Sequence, residues 1–232
     1  MTTTTPDHIV THDSRGYFRV ALAVVAPLPM VAMGLINIIQ PFTGDEEFGA
    51  TVAKTADHLG AVGVASWLAL VFFAFLVPAV LAVAAVTRRA TPRLAAWGGT
   101  LTVVGFGLGL GIGSVAPQGS PLAYITAAHD LDVAEMGRLN DAAAGLPFLG
   151  VGLLFWIVGL TIGLGILGVA LWRSRVVAPY FGMALLLGGP THPFIPGGHI
   201  AIGIGLLVAA FGFAGASLAL LRMDNDEFAL ER

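Results

Sequence analysis

Long apolar stretches free of charged residues alternate with short polar segments along most of the chain. A helix needs roughly 20 apolar residues to cross about 30 Å of hydrocarbon, and most of these stretches reach or exceed that length. Because they contain no Asp, Glu, Lys or Arg, the pattern predicts transmembrane helices rather than the helices of a water-soluble domain. The six predicted spans are residues 20–39, 61–86, 94–116, 147–172, 176–189 and 199–221.

Basic residues occupy alternate gaps between these stretches. Nine of the eleven Lys and Arg residues flank the spans on one predicted side, and the other gaps hold only Lys54 and Arg138. Cytoplasmic loops carry an excess of Lys and Arg, so the fold predicted is an all-α integral membrane protein. It is a six-helix transmembrane bundle whose N- and C-termini are cytoplasmic. The nine residues are Arg15, Arg19, Arg88, Arg89, Arg93, Arg173, Arg175, Arg222 and Arg232.

The two ends of the chain differ from the apolar middle. Residues 1–16 show no apolar periodicity and are predicted to be a disordered cytoplasmic tail. Residues 17–222 are predicted to form the transmembrane domain, and residues 223–232 a solvated acidic tail. The first span is predicted to be retained, because its apolar core exceeds the roughly 7–15 residues of a signal peptide.

Composition supports the membrane class and excludes several others. The mean hydropathy is +0.87, with 56% hydrophobic and 11% charged residues, which is too apolar for an ordinary soluble domain. A net charge of −3 without a basic patch argues against nucleic acid as a partner. The absence of cysteine excludes thiolate catalysis and iron–sulfur clusters. The predicted partner is the lipid bilayer, and the predicted location is the cell (inner) membrane, as a multi-pass protein.

Glycines alternate along the third span. At about 100° per residue, they make two stripes on nearly opposite helix faces. Each stripe has the small-xxx-small spacing that lets a neighbouring backbone approach closely. The third span is therefore predicted to be central and clamped from two sides, and the same faces would suit a homo-oligomer. The first stripe is Gly105, Gly109 and Gly113, the second is Gly107 and Gly111, and the fourth span has Gly159 and Gly163.

Local signals modify the spans and one loop. Pro27 and Pro29 in the first span and Pro78 in the second each remove a backbone donor, which predicts bends. In the loop before the fourth span, Asp132 and Glu135 have the spacing of a capping box. That spacing predicts a short helix from Val133 to about Ala144.

Four of the six histidines fall on the predicted outer side: His58, His129, His192 and His199. Imidazole with nearby carboxylates suits zinc, copper or iron. One interpretation therefore makes His58, His129 and His199 the ligands of an outer metal or haem. Isolated interfacial histidines are more often caps or surface residues, and no close-spaced ligand motif is present. The favoured interpretation therefore includes no cofactor.

The segment at residues 188–199 is rich in proline and glycine. The fifth span before it has 14 residues, which cover only about 21 Å. Irregular backbone below the membrane surface is tolerated only against protein or a water-filled cavity. This favours either a tight connecting turn or an outer-side pocket, and the pocket would be lined by Thr191, His192 and His199.

The spans hold no ionisable residue in their interior, which argues against a proton- or sodium-coupled carrier. Of the functions that remain, the favoured hypothesis is a non-enzymatic membrane protein, such as a transporter, that binds or passes a small ligand through this outer pocket. The alternative is a membrane-embedded enzyme or redox protein with the histidine-ligated metal or haem.

Overall fold

The structure is a computed structural model that describes residues 14–42, 46–113, 119–189 and 198–229. Every regular element in these residues is a helix. In chain order the helices are α1 (Arg15–Val25), α2 (Leu28–Ile39), α3 (Phe48–Asp57), α4 (Leu59–Thr87), α5 (Pro92–Gly113), α6 (Gly119–Ala128), α7 (Val133–Ala144), α8 (Pro147–Val158), a π-helix (Gly159–Gly163), α9 (Leu164–Ser174), α10 (Pro179–Gly188), α11 (Gly198–Arg222) and α12 (Asn225–Ala229).

Four helical segments of the described chain are long and apolar enough to cross a membrane. They are α1 with α2, α4, α8 through α9, and α11. Their bounds lie close to the predicted ones, since α4 covers Leu59–Thr87 where residues 61–86 were predicted. The all-helical class is therefore confirmed for the described residues, and four of the predicted spans coincide with helices that could cross a membrane. Helix α10 is apolar but has only 10 residues.

The surface of these helices suits lipid rather than water. Large apolar side chains project from several spans, among them Trp67 at 73% exposure, Leu154 at 60% and Leu187 at 60%. Contiguous apolar surface of this kind is rare on monomeric soluble proteins. The core lies between the spans, where Phe72, Phe213 and their neighbours are buried.

The first span is broken at its proline. Helix α1 ends at Val25 and α2 begins at Leu28, with Ala26 and Pro27 in the turn between them. The regular helix is thus interrupted at Pro27, one of the positions where a bend was predicted. Pro78 behaves differently, because α4 continues through it without interruption.

Glycines bring helix backbones into direct contact. A Cβ added at Gly105 would lie 2.6 Å from the carbonyl oxygen of Phe155 and 2.7 Å from the Cα of Gly159. The first predicted stripe on α5 therefore packs against the end of α8 and the π-helix. The second stripe does not, because a Cβ at Gly107 would meet nothing within 4 Å. The prediction of a two-sided clamp is wrong at Gly107, since that face of α5 turns away from the bundle.

Three short helices, α3, α6 and α7, pack on one another at one end of the bundle, and α6 also contacts α4. Helix α7 has the predicted bounds, and the carboxylate of Asp132 accepts hydrogen bonds from the N–H groups of Ala134 and Glu135. The predicted helix and its N-cap at Asp132 are confirmed. Helices α3 and α6 were not predicted.

The arginine-bearing helix ends meet at the opposite end of the bundle. Arg19 of α1 donates from Nη1 to the carbonyl oxygen of Leu220 at 2.7 Å, which joins the start of α1 to the end of α11. Thr91, just before α5, reaches the carbonyl oxygen of Ala170 in α9 at 3.5 Å. The predicted gathering of these ends on one side thus matches the packing of the described helices.

The acidic tail contacts this end instead of being wholly solvated. Residues Asn225–Ala229 form α12. An Asp226 carboxylate oxygen lies 3.7 Å from Arg15 Nη1, and a Glu227 oxygen lies 3.8 Å from Arg89 Nη1. Because arginines of α1 and α4 converge here, the tail carboxylates find cationic partners within the protein.

Candidate functional site

The residues predicted to line the outer pocket are only partly described. Thr191 and His192 lie outside the described residues. His199 lies in the first turn of α11, and its Nδ1 is buried with no hydrogen-bond partner in the described part of the chain. One turn later on the same helix face, Gly203 packs against Gly34 of α2. His199 is thus placed toward the end of α2, and the pocket at residues 188–199 stays a prediction.

The histidines proposed as metal ligands occupy separate positions. His58 is exposed at the junction of α3 and α4, with Nδ1 3.0 Å from the carbonyl oxygen of Lys54. His129 is exposed just after α6. Within the described ranges, no group of three or more His, Asp or Glu side chains is placed to hold a metal ion. The shared metal or haem site stays a prediction without a geometric counterpart in these residues.

An apolar pocket of about 250 Å³ lies at the end of the bundle opposite the arginines. It is bounded by α2, α4 and the first turn of α6, and one residue of α8 closes it. Of the residues predicted to line the outer pocket, the structure describes only His199, and His199 does not line this pocket. Its lining residues are Met33, Ile36, Gln40, Val62, Ala65, Ser66, Ala69, Phe72, Phe73, Ser120, Pro121 and Trp156.

Small side chains on one face of α4 create this space. Ala65, Ser66 and Ala69 follow one another at helical spacing, so they present one short-chained surface toward α2. The Ser66 hydroxyl donates to the carbonyl oxygen of Val62 at 2.9 Å, within its own helix. The Ser66 donor is therefore already used, and this wall of the pocket is effectively apolar.

Aromatic rings form a packed wall of the pocket. The Trp156 ring lies 5.7 Å from the Phe72 ring and 4.8 Å from the Phe106 ring, the latter pair perpendicular. Trp156 can approach α5 because Gly109 has no side chain, and a Cβ there would lie 2.9 Å from the Trp156 Cβ. The glycine stripe of α5 thus positions the aromatic wall.

Among the residues that the structure describes, no titratable side chain lines the pocket, and its polar residues are Gln40, Ser66 and Ser120. Gln40 directly follows α2, and Ser120 is the second residue of α6. Both therefore lie at the end of the pocket that is farthest from the arginines. This arrangement suits the binding of a neutral, largely apolar molecule.

Comparison with known proteins adds no function to this geometry. No family model, curated protein or solved structure matches the chain. The shape and chemistry of the pocket are therefore what bears on function.

Sequence reasoning missed the pocket although a signal was present. The alanines and serine at positions 65, 66 and 69 give the second span a small-residue face. A face of small residues indicates either close helix packing or a cavity, and only the placement of α2 and α6 distinguishes the two.

Proposed function

We propose that this chain is a six-span membrane protein with both termini in the cytoplasm, and that it binds a small apolar ligand in the outer-side pocket between α2, α4 and α6. The observation that carries the proposal is the apolar pocket of about 250 Å³ at the end opposite the arginines. The described residues of its lining include no titratable group, which favours a binding protein over an enzyme.

Helices α5 and α10 are proposed as the remaining two spans. The 22 residues of α5 extend about 33 Å, which matches the hydrocarbon thickness. Helix α10 extends only about 15 Å. It nevertheless lies deep between its neighbours, because a Cβ at Gly182 would be 2.4 Å from the Trp172 nitrogen and one at Gly188 would be 2.4 Å from the Ala209 nitrogen.

Cysteine labelling tests the proposed orientation, since the native chain has no cysteine. Arg138 on α7 and Arg173 near the end of α9 are both exposed, at opposite ends of the bundle. We expect Arg138→Cys to react with a membrane-impermeant maleimide in intact cells. Arg173→Cys should react only after the cells are permeabilised. The reverse pattern would invert the topology, and labelling of both in intact cells would refute the transmembrane arrangement.

The pocket volume sets the size of the ligand. An apolar cavity of about 150 Å³ in another protein binds benzene, so about 250 Å³ accommodates a molecule of one or two rings. An ion is disfavoured, because the described lining residues offer no charged side chain to compensate the loss of the ion's hydration. The faces and edges of Phe72 and Trp156 suit aromatic or aliphatic groups.

Trp156 provides a direct optical test of binding. The other tryptophans, Trp67, Trp97 and Trp172, are exposed and can be replaced by phenylalanine without disturbing the core. In this single-tryptophan protein, we expect bromobenzene to quench Trp156 fluorescence along a saturable curve. Ala69→Leu, which fills the pocket, should weaken apparent bromobenzene affinity about tenfold, as expected when most of a ligand's contact is lost.

The matched control is Ala74→Leu, which adds the same atoms to an exposed position of α4 outside the pocket. It should leave the quenching curve unchanged. Quenching that rises linearly without saturation, or an equal loss in both variants, would indicate partitioning into detergent and refute the pocket.

A further inference from the structure

An apolar groove runs between α4 and α5 from the arginine end toward the middle of the bundle. It consists of two adjoining cavities of about 380 and 340 Å³ that share Leu81, Ala84, Ala95 and Ala96. The cavity of about 380 Å³ reaches Arg88 at the arginine end, and the cavity of about 340 Å³ reaches Val104 farther along α5. Because they share four residues, they form one continuous groove.

Small residues keep the groove open. Leu81, Ala84 and Arg88 lie on one face of α4, and Ala95, Ala96 and Gly99 lie on one face of α5. The helices touch where a Cβ at Gly99 would be 3.7 Å from the Ala84 Cβ, an ordinary contact. The short side chains beside this contact leave room for an unbranched chain on the outer side of the bundle.

The groove ends at a guanidinium that is incompletely satisfied. Arg88 donates from Nη2 to the carbonyl oxygen of Phe228, and its Cζ lies 5.9 Å from the centre of the Phe228 ring. Its Nε is buried and has no hydrogen-bond partner in the described part of the chain. Burial, and secondarily the charge of Arg89, lower the pKa of Arg88 from its usual value. An arginine nonetheless stays protonated, so an anion at this point would relieve the cost of desolvation.

Two of the described carboxylates at this end are paired with arginines other than Arg88. Asp226 lies within 4.0 Å of Arg15 and Glu227 within 4.0 Å of Arg89. Among the described residues neither Arg88 nor Arg93 has a carboxylate within that distance, and both flank the short turn between α4 and α5. The amides at the start of α5 add positive potential at the same point.

We propose that this groove binds an anionic phospholipid, with the phosphate at Arg88 and one acyl chain along the small-residue faces of α4 and α5. From Pro92 to Val104 the groove rises about 18 Å along α5, close to the roughly 15 Å of hydrocarbon in one leaflet. Basic pockets between transmembrane helices on the cytoplasmic side recognise anionic head groups in this way. The site is separate from the outer pocket and does not depend on it.

Thermal unfolding in neutral detergent micelles tests the proposal. We expect added phosphatidylglycerol to raise the unfolding midpoint by about 3 °C more than phosphatidylcholine with the same acyl chains. Arg88→Gln should abolish this difference because the phosphate loses its partner. Ala96→Leu should abolish it as well, because leucine at this exposed position occupies the groove.

Two variants provide matched controls. Arg173→Gln removes an equal charge from the same end of the bundle, and Ala74→Leu adds an equal volume to α4 outside the groove. Both variants should retain the full difference in unfolding midpoint between phosphatidylglycerol and phosphatidylcholine. Comparing two lipids within each variant cancels any loss of stability that the substitution itself causes.

The proposal is overturned if both lipids stabilise the native protein equally. It is also overturned if Arg173→Gln reduces the difference in unfolding midpoint between the lipids as much as Arg88→Gln does. Retention of the difference in Ala96→Leu would show that no acyl chain lies in the groove. An equal shift with inorganic phosphate alone would assign the site to a free anion. Conversion of a dimer to a monomer by Ala96→Leu would assign the groove to a second copy of the chain.

Discussion

Gly105→Ala is expected to lower the free energy of unfolding by about 1–3 kcal/mol, and Gly105→Val by more. The added Cβ would lie 2.6 Å from the Phe155 carbonyl oxygen and 2.7 Å from the Gly159 Cα. Both are backbone atoms, so no side chain can rotate aside and the two helices must separate. The loss is measurable as a lower midpoint of thermal or SDS-induced unfolding of the purified protein.

Gly107→Ala is the control for this substitution. Gly107 lies two residues later on the same helix, and its added Cβ would meet nothing within 4 Å. Alanine is a better helix former than glycine by up to about 1 kcal/mol, so stability should be unchanged or higher. Equal losses at Gly105 and Gly107 would contradict the crossing of α5 with the π-helix.

These two glycines show what the sequence could and could not predict. The ends of α4 and α11 were predictable, because charged residues cannot continue into the hydrocarbon and Arg88 and Arg222 mark where each apolar stretch stops. Gly105 and Gly107 have the same residue type and lie in equivalent stripes. Which stripe meets a neighbour depends on where α8 crosses α5, and that is a property of the assembled bundle.

The same limit applies to the acidic tail and the pocket. The composition of residues 223–232 indicated solvation, yet the partners of Asp226 and Glu227 are Arg15 and Arg89, which lie far away in sequence. The space near Ala69 is bounded by the first turn of α6, a helix that was not predicted. Contacts between distant segments determine both features, and neither periodicity nor charge counting along one segment detects them.

The π-helix at Gly159–Gly163 is a further feature that hydropathy does not encode. A Cβ at Gly163 would lie 2.8 Å from the Thr102 nitrogen, so α5 also approaches the π-helix closely at this second glycine. The Thr102 hydroxyl donates to the Gly98 carbonyl oxygen at 2.7 Å and is thereby satisfied within α5. A widened helical turn, a close approach and a satisfied hydroxyl together let two apolar helices cross at backbone distance. The sequence shows only glycines at helical spacing.

Arg19→Gln is expected to lower the free energy of unfolding by about 1.5–3 kcal/mol, the usual range for hydrogen bonds to a charged group. Arg19 Nη1 lies 2.7 Å from the Leu220 carbonyl oxygen and 3.3 Å from that of Leu221, and Nε lies 3.3 Å from Asn225 Oδ1. The last carbonyl groups of a helix have no partner within the helix, and a cation near them also interacts favourably with the helix dipole. The substitution therefore removes the hydrogen bonds that join α1 to the end of α11 and to the first residue of α12.

Arg222→Gln provides the comparison, because Arg222 is exposed in the last turn of the same helix. It retains the Arg19 contacts and should cost no more than about 1 kcal/mol, the typical value of a charge near a helix end. Repeating both measurements in about 1 M salt separates the effect of an exposed charge from the effect of the Arg19 hydrogen bonds. Salt screens exposed charges strongly and buried contacts much less. The Arg19→Gln loss should persist in high salt. A loss that salt removes would show that Arg19 acts only as a surface charge and not through the hydrogen bonds that hold the two helices together.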